Sequence, residues 1–204
     1  MPGRVICVSR SLGAGGDAVA RRVADALGYR YVDDEIIMRA ADRAGVSPEA
    51  VGRAEQSKPM LGRILEALAA APMATDAGAI LPPQHPEPSY TGLIERVIHE
   101  VAEEGNVVIV AHGASIPLAG KEAVLRVLVT ASPEVRAARQ SAATETGIDA
   151  AWKAIEKSDR ERAEYFRRMY KLDHELPTHY DMTVNTDAMS IEAAARLVVE
   201  AARA

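Results

Sequence analysis

The 204-residue chain has one cysteine, one tryptophan and one phenylalanine, and aromatics make up only 4% of it. A single cysteine, Cys7, allows no disulfide within the chain. Its place in the apolar run Val5-Ile6-Cys7-Val8 reads as a small core residue. So few aromatic rings exclude the broad stacking platforms used for single-stranded nucleic acid. No apolar run approaches the roughly 18–20 residues of a membrane span, and Met1 to Val8 lacks a signal-peptide layout. A cytoplasmic location without a membrane partner is the expectation. Basic charge is short as well: 24 Lys and Arg against 29 Asp and Glu leave a net charge of −5, the wrong sign for a non-specific nucleic-acid binder.

The chain is organised around Val5 to Tyr29. The apolar run Val5 to Val8, β-branched except at Cys7, reads as a buried strand. Ser9-Arg10-Ser11-Leu12-Gly13-Ala14-Gly15-Gly16 then leads into an Ala/Val/Leu pattern at helical spacing from Ala18 to Leu27. Strand, glycine-rich turn and helix is the layout that holds a phosphate, because the backbone N–H groups curl inward and the helix start is partly positive. The usual fingerprint is GxxxxGK[ST], whose lysine reaches the terminal phosphates and whose hydroxyl holds magnesium. Set in register on Gly15, this chain has Arg10 at the first glycine, Gly16 at the lysine and Asp17 at the hydroxyl. The loop is present without its two usual side chains.

Further along, Tyr29 to Val32 reads as a second strand, followed by Asp33, Asp34 and a helical pattern through Ala44. Carboxylates there either cap the helix or sit at the strand's C-terminal end, where open α/β sheets bind ligands. Residues 46–88 are the least regular part, and Pro72 to Pro88 has the composition of a mobile loop or lid. Ser89 to Glu104 predicts an amphipathic helix, and Val107 to Ala111 a fully buried strand with His112 at its end. Val124 to Thr130 predicts a fourth strand, with a helix opening at Ser132-Pro133-Glu134 that carries Arg136 and Arg139. A long helix from about Asp149 to Tyr170 has Trp152, Ile155, Ala163 and Phe166 on its apolar side. A last strand, Asp181 to Thr186, and a closing helix from Ile191 end the pattern. Five strands alternating with helices imply an α/β fold with one parallel sheet and right-handed crossovers.

SRSLGAGG, YVDDEII, VVIVAHGA, SPEVRAAR, the KSDRERAEYF helix and DMTVNT, in this order, resemble the cytidylate kinase-like proteins, relatives of bacterial CMP kinase among the P-loop nucleoside monophosphate kinases. The resemblance covers nearly the whole chain and is weakest from about Gly52 to Pro88. It implies a single three-layer P-loop NTPase domain with a five-stranded parallel sheet. Residues 46–88 would be an acceptor-side insertion or mobile lid, and the 149–170 helix a lid. It implies transfer of the ATP γ-phosphoryl group to a nucleoside monophosphate such as CMP or dCMP, with ATP and Mg2+ as cofactors. Such transfer needs two anions held in line, water excluded and positive charge around the moving group.

The resemblance also distributes roles. Arg10, Ser11, Gly13, Ala14, Gly15, Gly16 and Asp17 would hold the donor's phosphates, with Arg136, Arg139 and Asn185 near its adenine and phosphates. Asp34, Arg39, His112 and Asp159 would take the acceptor. Arg160 and Arg162 of the lid, with Asp33, would act at the transferred group, and Asp17 and Asp33 would hold the metal. Guanidinium groups suit such a task because they are planar and permanently charged. The residues themselves leave another reading open: Glu156, Arg160 and Glu164 are spaced as a ladder of surface ion pairs, and Arg136 can pair with Ser132 or Glu134.

Three departures bear on activity. Gly16 replaces the loop lysine, and Asp17 puts a carboxylate where a triphosphate is repelled unless magnesium lies between. His112 stands where relatives keep an arginine, and an ordinary imidazole is only partly charged at neutral pH. A fold of Arg10 back over the loop would replace lost charge. Two readings follow, a phosphotransferase or a kinase-fold module that binds nucleotide without turnover.

Overall fold

The computed structural model describes residues 5–33, 35–43, 90–110 and 113–204. Asp34, His112, the Ser89 cap and the 46–88 segment lie outside the described residues. The chain divides into two compact units, Met1–Asp33 with Ala102–Ala204, and Asp34–Val101.

The first unit is built on five parallel strands: β1 (Val5–Arg10), β2 (Arg30–Val32), β3 (Val107–Ile109), β4 (Val124–Thr130) and β5 (Met182–Asn185). Their order is β2-β3-β1-β4-β5, so the first strand is central, as the alternating pattern requires. Val5 stands opposite Val107 on one side and Val124 on the other, and pairing with β4 continues to Arg10 opposite Val129. Successive residues of β1 point to opposite faces, yet Val5 to Val8 are all buried, which explains an apolar run without alternation.

Ile6 and Val8 share a core with Val19, Val23 and Ala24 of α1 (Gly16–Leu27), and with Ala194, Val198 and Ala202 of the closing helix Ile191–Arg203. Gly28 ends α1 in the left-handed region, its N–H donating to Ala24 and Asp25 carbonyls. Between β2 and β3 lie α2 (Glu35–Arg43) and α3 (Tyr90–Glu104). In the second unit Arg43 makes a bidentate pair with Glu100, at 2.7 and 2.6 Å. Two helices, α4 (Pro133–Thr144) and α5 (Ile148–Tyr170), pack on each other after β4, and the closing helix is α6. Ser132 caps α4, accepting from the Val135 N–H, with Pro133 at the first helical position. Ala163, expected on the apolar side of α5, is exposed, while Ile155 and Phe166 are buried. One alanine carries too little apolar surface to fix the face of a helix.

Candidate phosphate-binding site

The turn from β1 to α1 is held rigid by its carbonyls. Ser11 accepts from the Ala14 N–H at 3.0 Å and Gly15 from the Val19 N–H at 3.0 Å. Leu12 accepts from Arg136 Nε at 2.7 Å, and Ala14 from the Thr186 hydroxyl at 2.8 Å. Gly13 and Gly15 take φ of +79° and +80°, conformations that only glycine adopts without strain. Gly13 is further required because a Cβ there would stand 2.6 Å from the Arg136 carbonyl oxygen. The donors fare differently: the backbone N–H groups of Gly13, Gly15, Gly16 and Asp17 have no acceptor among the described residues. A turn with four of its carbonyls tied down and four of its N–H groups left open is an anion receptor, reinforced by the α1 N-terminus.

Around this turn Arg136, Arg139 and Arg162 are held by protein acceptors. Arg136 makes a bidentate pair with Asp159, at 2.9 and 2.6 Å, besides its bond to Leu12. Neither Ser132 nor Glu134 is its side-chain partner, because its stem runs toward the loop and α5. Arg139 donates to the Thr186 hydroxyl at 2.9 Å and the Thr186 carbonyl at 2.6 Å, so it steadies the segment that holds Ala14. Arg162 binds Glu175 and also donates to Ser9 Oγ at 2.7 Å, its cation 4.9 Å from the Phe166 ring centre. The anticipated Glu156–Arg160–Glu164 ladder does not form among the described residues. Arg160 is exposed there with no ion pair, and Lys157–Glu161 pairs instead at 3.8 Å. Asn185 is exposed and turned to its own loop, its Oδ1 accepting from the Asp187 N–H at 2.8 Å. In the second unit, Arg39 pairs with Glu35 one turn earlier at 2.5 Å.

Arg10 does fold back over the loop. Its Nε is 2.5 Å from Asp17 Oδ1 and its Nη2 is 3.9 Å from Asp33 Oδ2, and Asp33 also accepts from the Tyr31 hydroxyl at 3.4 Å. Burial alone would lower the Arg10 pKa, but the charges of Asp17 and Asp33 beside it raise it instead. The two carboxylates expected to hold a metal thus flank one guanidinium. In this arrangement the Arg10 guanidinium competes with a magnesium ion for the oxygens of Asp17 and Asp33, while magnesium commonly takes only one or two carboxylates and completes its shell with water and phosphate oxygens.

Ser9, Glu175 and Tyr180 were not singled out by sequence. The Tyr180 hydroxyl donates to Glu175 Oε1 and lies 3.0 Å from Ser9 Oγ. Burial tends to raise the Glu175 pKa, yet the hydrogen bond and charge of Arg162, aided by Tyr180 and Ser9, hold it below the usual carboxylate range. Glu175 falls in an aperiodic stretch between α5 and β5, where no spacing marks it. Cys7 is buried, which pushes its thiol up to about 12, as expected of a core residue.

A family model described as "Cytidylate kinase-like family" matches residues 5–188. A cytidylate kinase from Natronomonas pharaonis is 24% identical over 199 residues, covering 97% of this chain and 88% of that protein. Among solved structures, an uncharacterized protein from Eubacterium ventriosum superposes with a TM-score of 0.67 at 14% identity, covering 97% of both chains. A shikimate kinase from Bacteroides thetaiotaomicron gives a TM-score of 0.53 at 18% identity, again over 97% of both.

Proposed function

Because the chain belongs to the cytidylate kinase-like family, we propose that it is a nucleotide-dependent phosphotransferase moving the γ-phosphoryl group of ATP to a nucleoside monophosphate, with CMP and dCMP the first acceptors to test. One observation carries the reading: four loop N–H groups at the start of α1 are left without acceptors among the described residues, while the Ser11, Leu12, Ala14 and Gly15 carbonyls are tied down. A triphosphate supplies the oxygens those donors lack. Arg160, like Arg168 on the same helix, has no ion pair among the described residues, and it follows directly on Asp159, which holds Arg136 against the loop. It is assigned to the transferred phosphate, and Arg39 keeps the acceptor-phosphate role that family membership implies. ATP would enter as its magnesium complex, the metal supplying charge neutralisation at the phosphates, with Asp17 and Asp33 the carboxylates near the loop that would hold it.

A second reading, nucleotide binding without turnover, is favoured by the commitment of Arg136, Arg139 and Arg162 to protein acceptors. An ADP-release assay over a panel of nucleoside monophosphates, with calorimetry of ATP binding, separates the two. ADP release with one acceptor supports the transferase. Tight ATP binding with no turnover on any acceptor establishes the module, and no ATP binding defeats both.

A further inference from the structure

Positions 10, 16 and 17 depart from the usual phosphate-loop fingerprint, and the geometry makes the three departures one linked change. The fingerprint has glycine at the strand end and lysine at the helix start, whereas this chain has Arg10 and Gly16. A side chain built on Gly16 would run into the Cβ of Arg10, and its Cγ and Cδ would lie 3.3 and 3.2 Å away. The stem of Arg10 therefore occupies the space that a residue-16 side chain needs. Asp17 then fixes the guanidinium from the Nε side, 2.5 Å away, and Arg10 Nη1 donates no hydrogen bond among the described residues.

We propose that Arg10 and Gly16 have exchanged places within the loop, so that the cation for the donor's terminal phosphates comes from the end of β1 and Asp17 positions it. The proposal rests on the reading of this loop as the ATP site. It makes the missing lysine a relocation of charge, and Gly16 a steric requirement of that relocation. It also gives Asp17 a part that does not oppose the triphosphate, since its charge is spent on the Nε edge of the guanidinium. A guanidinium presents several donors, so one edge can be held by the protein while another faces an anion.

The reciprocal exchange tests it. ATP, ADP and AMP are titrated by calorimetry into the wild type, Arg10→Gly, Gly16→Lys, and the double variant that restores GxxxxGK. Arg10→Gly should weaken ATP by about ten- to hundredfold, the size of a charge-assisted contact, and AMP by much less. Gly16→Lys alone should also lose ATP, whether by displacing Arg10 or by failing to fold. The double variant should regain ATP affinity over either single change. Asp17→Asn should weaken ATP more than AMP. If Arg10→Gly loses its fold by circular dichroism, Arg10→Met keeps the stem and should show the same phosphate-dependent loss. Wild-type ATP affinity in Arg10→Gly or Arg10→Met overturns the proposal. So does wild-type affinity in Gly16→Lys alone, an equal loss for ATP and AMP, or no recovery in the double variant. A wild-type protein that binds no ATP defeats the underlying reading of the site, which is a separate result.

Discussion

Arg162 and Glu175 form a bidentate pair, Nε to Oε2 and Nη2 to Oε1 both at 2.6 Å, with side chains only 15% and 18% exposed. Ser9 and Tyr180 complete the ring of bonds, which anchors α5 and the segment after it to the end of β1. An arginine expected to close on substrate is instead part of the frame that holds the loop's first strand. Charge desolvated to this degree is stable only while its partners remain.

Glu175→Ala should therefore lower stability by about 3–5 kcal/mol, because Arg162 is left buried without a counter-charge. Replacing both, as Arg162→Met with Glu175→Leu, should recover most of that loss. Urea unfolding curves measure both. A single-variant loss under about 1 kcal/mol would mean the pair behaves as a surface bridge.

The Arg136–Asp159 pair is asymmetric, with side chains 6% and 46% exposed. Arg136→Met removes the bond to the Leu12 carbonyl as well as the ion pair, and should cost about 2–3 kcal/mol. Asp159→Asn should cost about 1 kcal/mol or less, since half of its carboxylate is already screened by water. Equal losses in thermal denaturation would contradict this division.

Gly13 and Gly28 share a positive φ and differ in surroundings. At Gly28 a Cβ meets nothing within 4 Å, so Gly28→Ala should cost only the conformational strain, about 1–2 kcal/mol. Gly13→Ala adds a collision with the Arg136 backbone 2.6 Å away. It should cost more than Gly28→Ala and abolish ATP binding, since the turn cannot keep its shape. Calorimetry and unfolding curves on both variants give the comparison.

Alkaline stability should fall in a definite window. Burial first, then the charge and hydrogen bond of Glu175, push the Tyr180 hydroxyl from 10.0 up to about 12. Burial likewise lifts Tyr31 from 10.0 to about 12 and Cys7 from 9.0 to about 12. For each, the folded pKa exceeds the unfolded one. The stabilisation is complete below the unfolded value and is lost as pH rises toward 12. Denaturation midpoints should decline from pH 9 upward, and Tyr180→Phe should flatten the part between pH 10 and 12. An unchanged slope in that variant would remove Tyr180 from the account.

The sequence by itself determined the five strands, their alternation with helices and the glycine turn after β1. Those features rest on local periods and turn chemistry: the apolar run Val5 to Val8, the helical spacing from Val19 to Ala24, and Gly28 closing α1. They also placed Arg10, Arg136, Arg139, Asp159 and Arg162 on elements that the fold gathers near the loop. Partners were not legible, because a guanidinium's acceptor is chosen by distance in space. Arg136 meets Asp159 across 23 residues, Arg139 meets Thr186 across 47, and Arg162 meets Ser9 across 153. Only the tertiary structure decided that Glu175 and Tyr180 belong to this region. It alone showed that Gly16 is small because the stem of Arg10 lies against it. Hydrophobic period is a property of neighbours in sequence, whereas the satisfaction of a buried charge depends on which distant groups folding brings within reach.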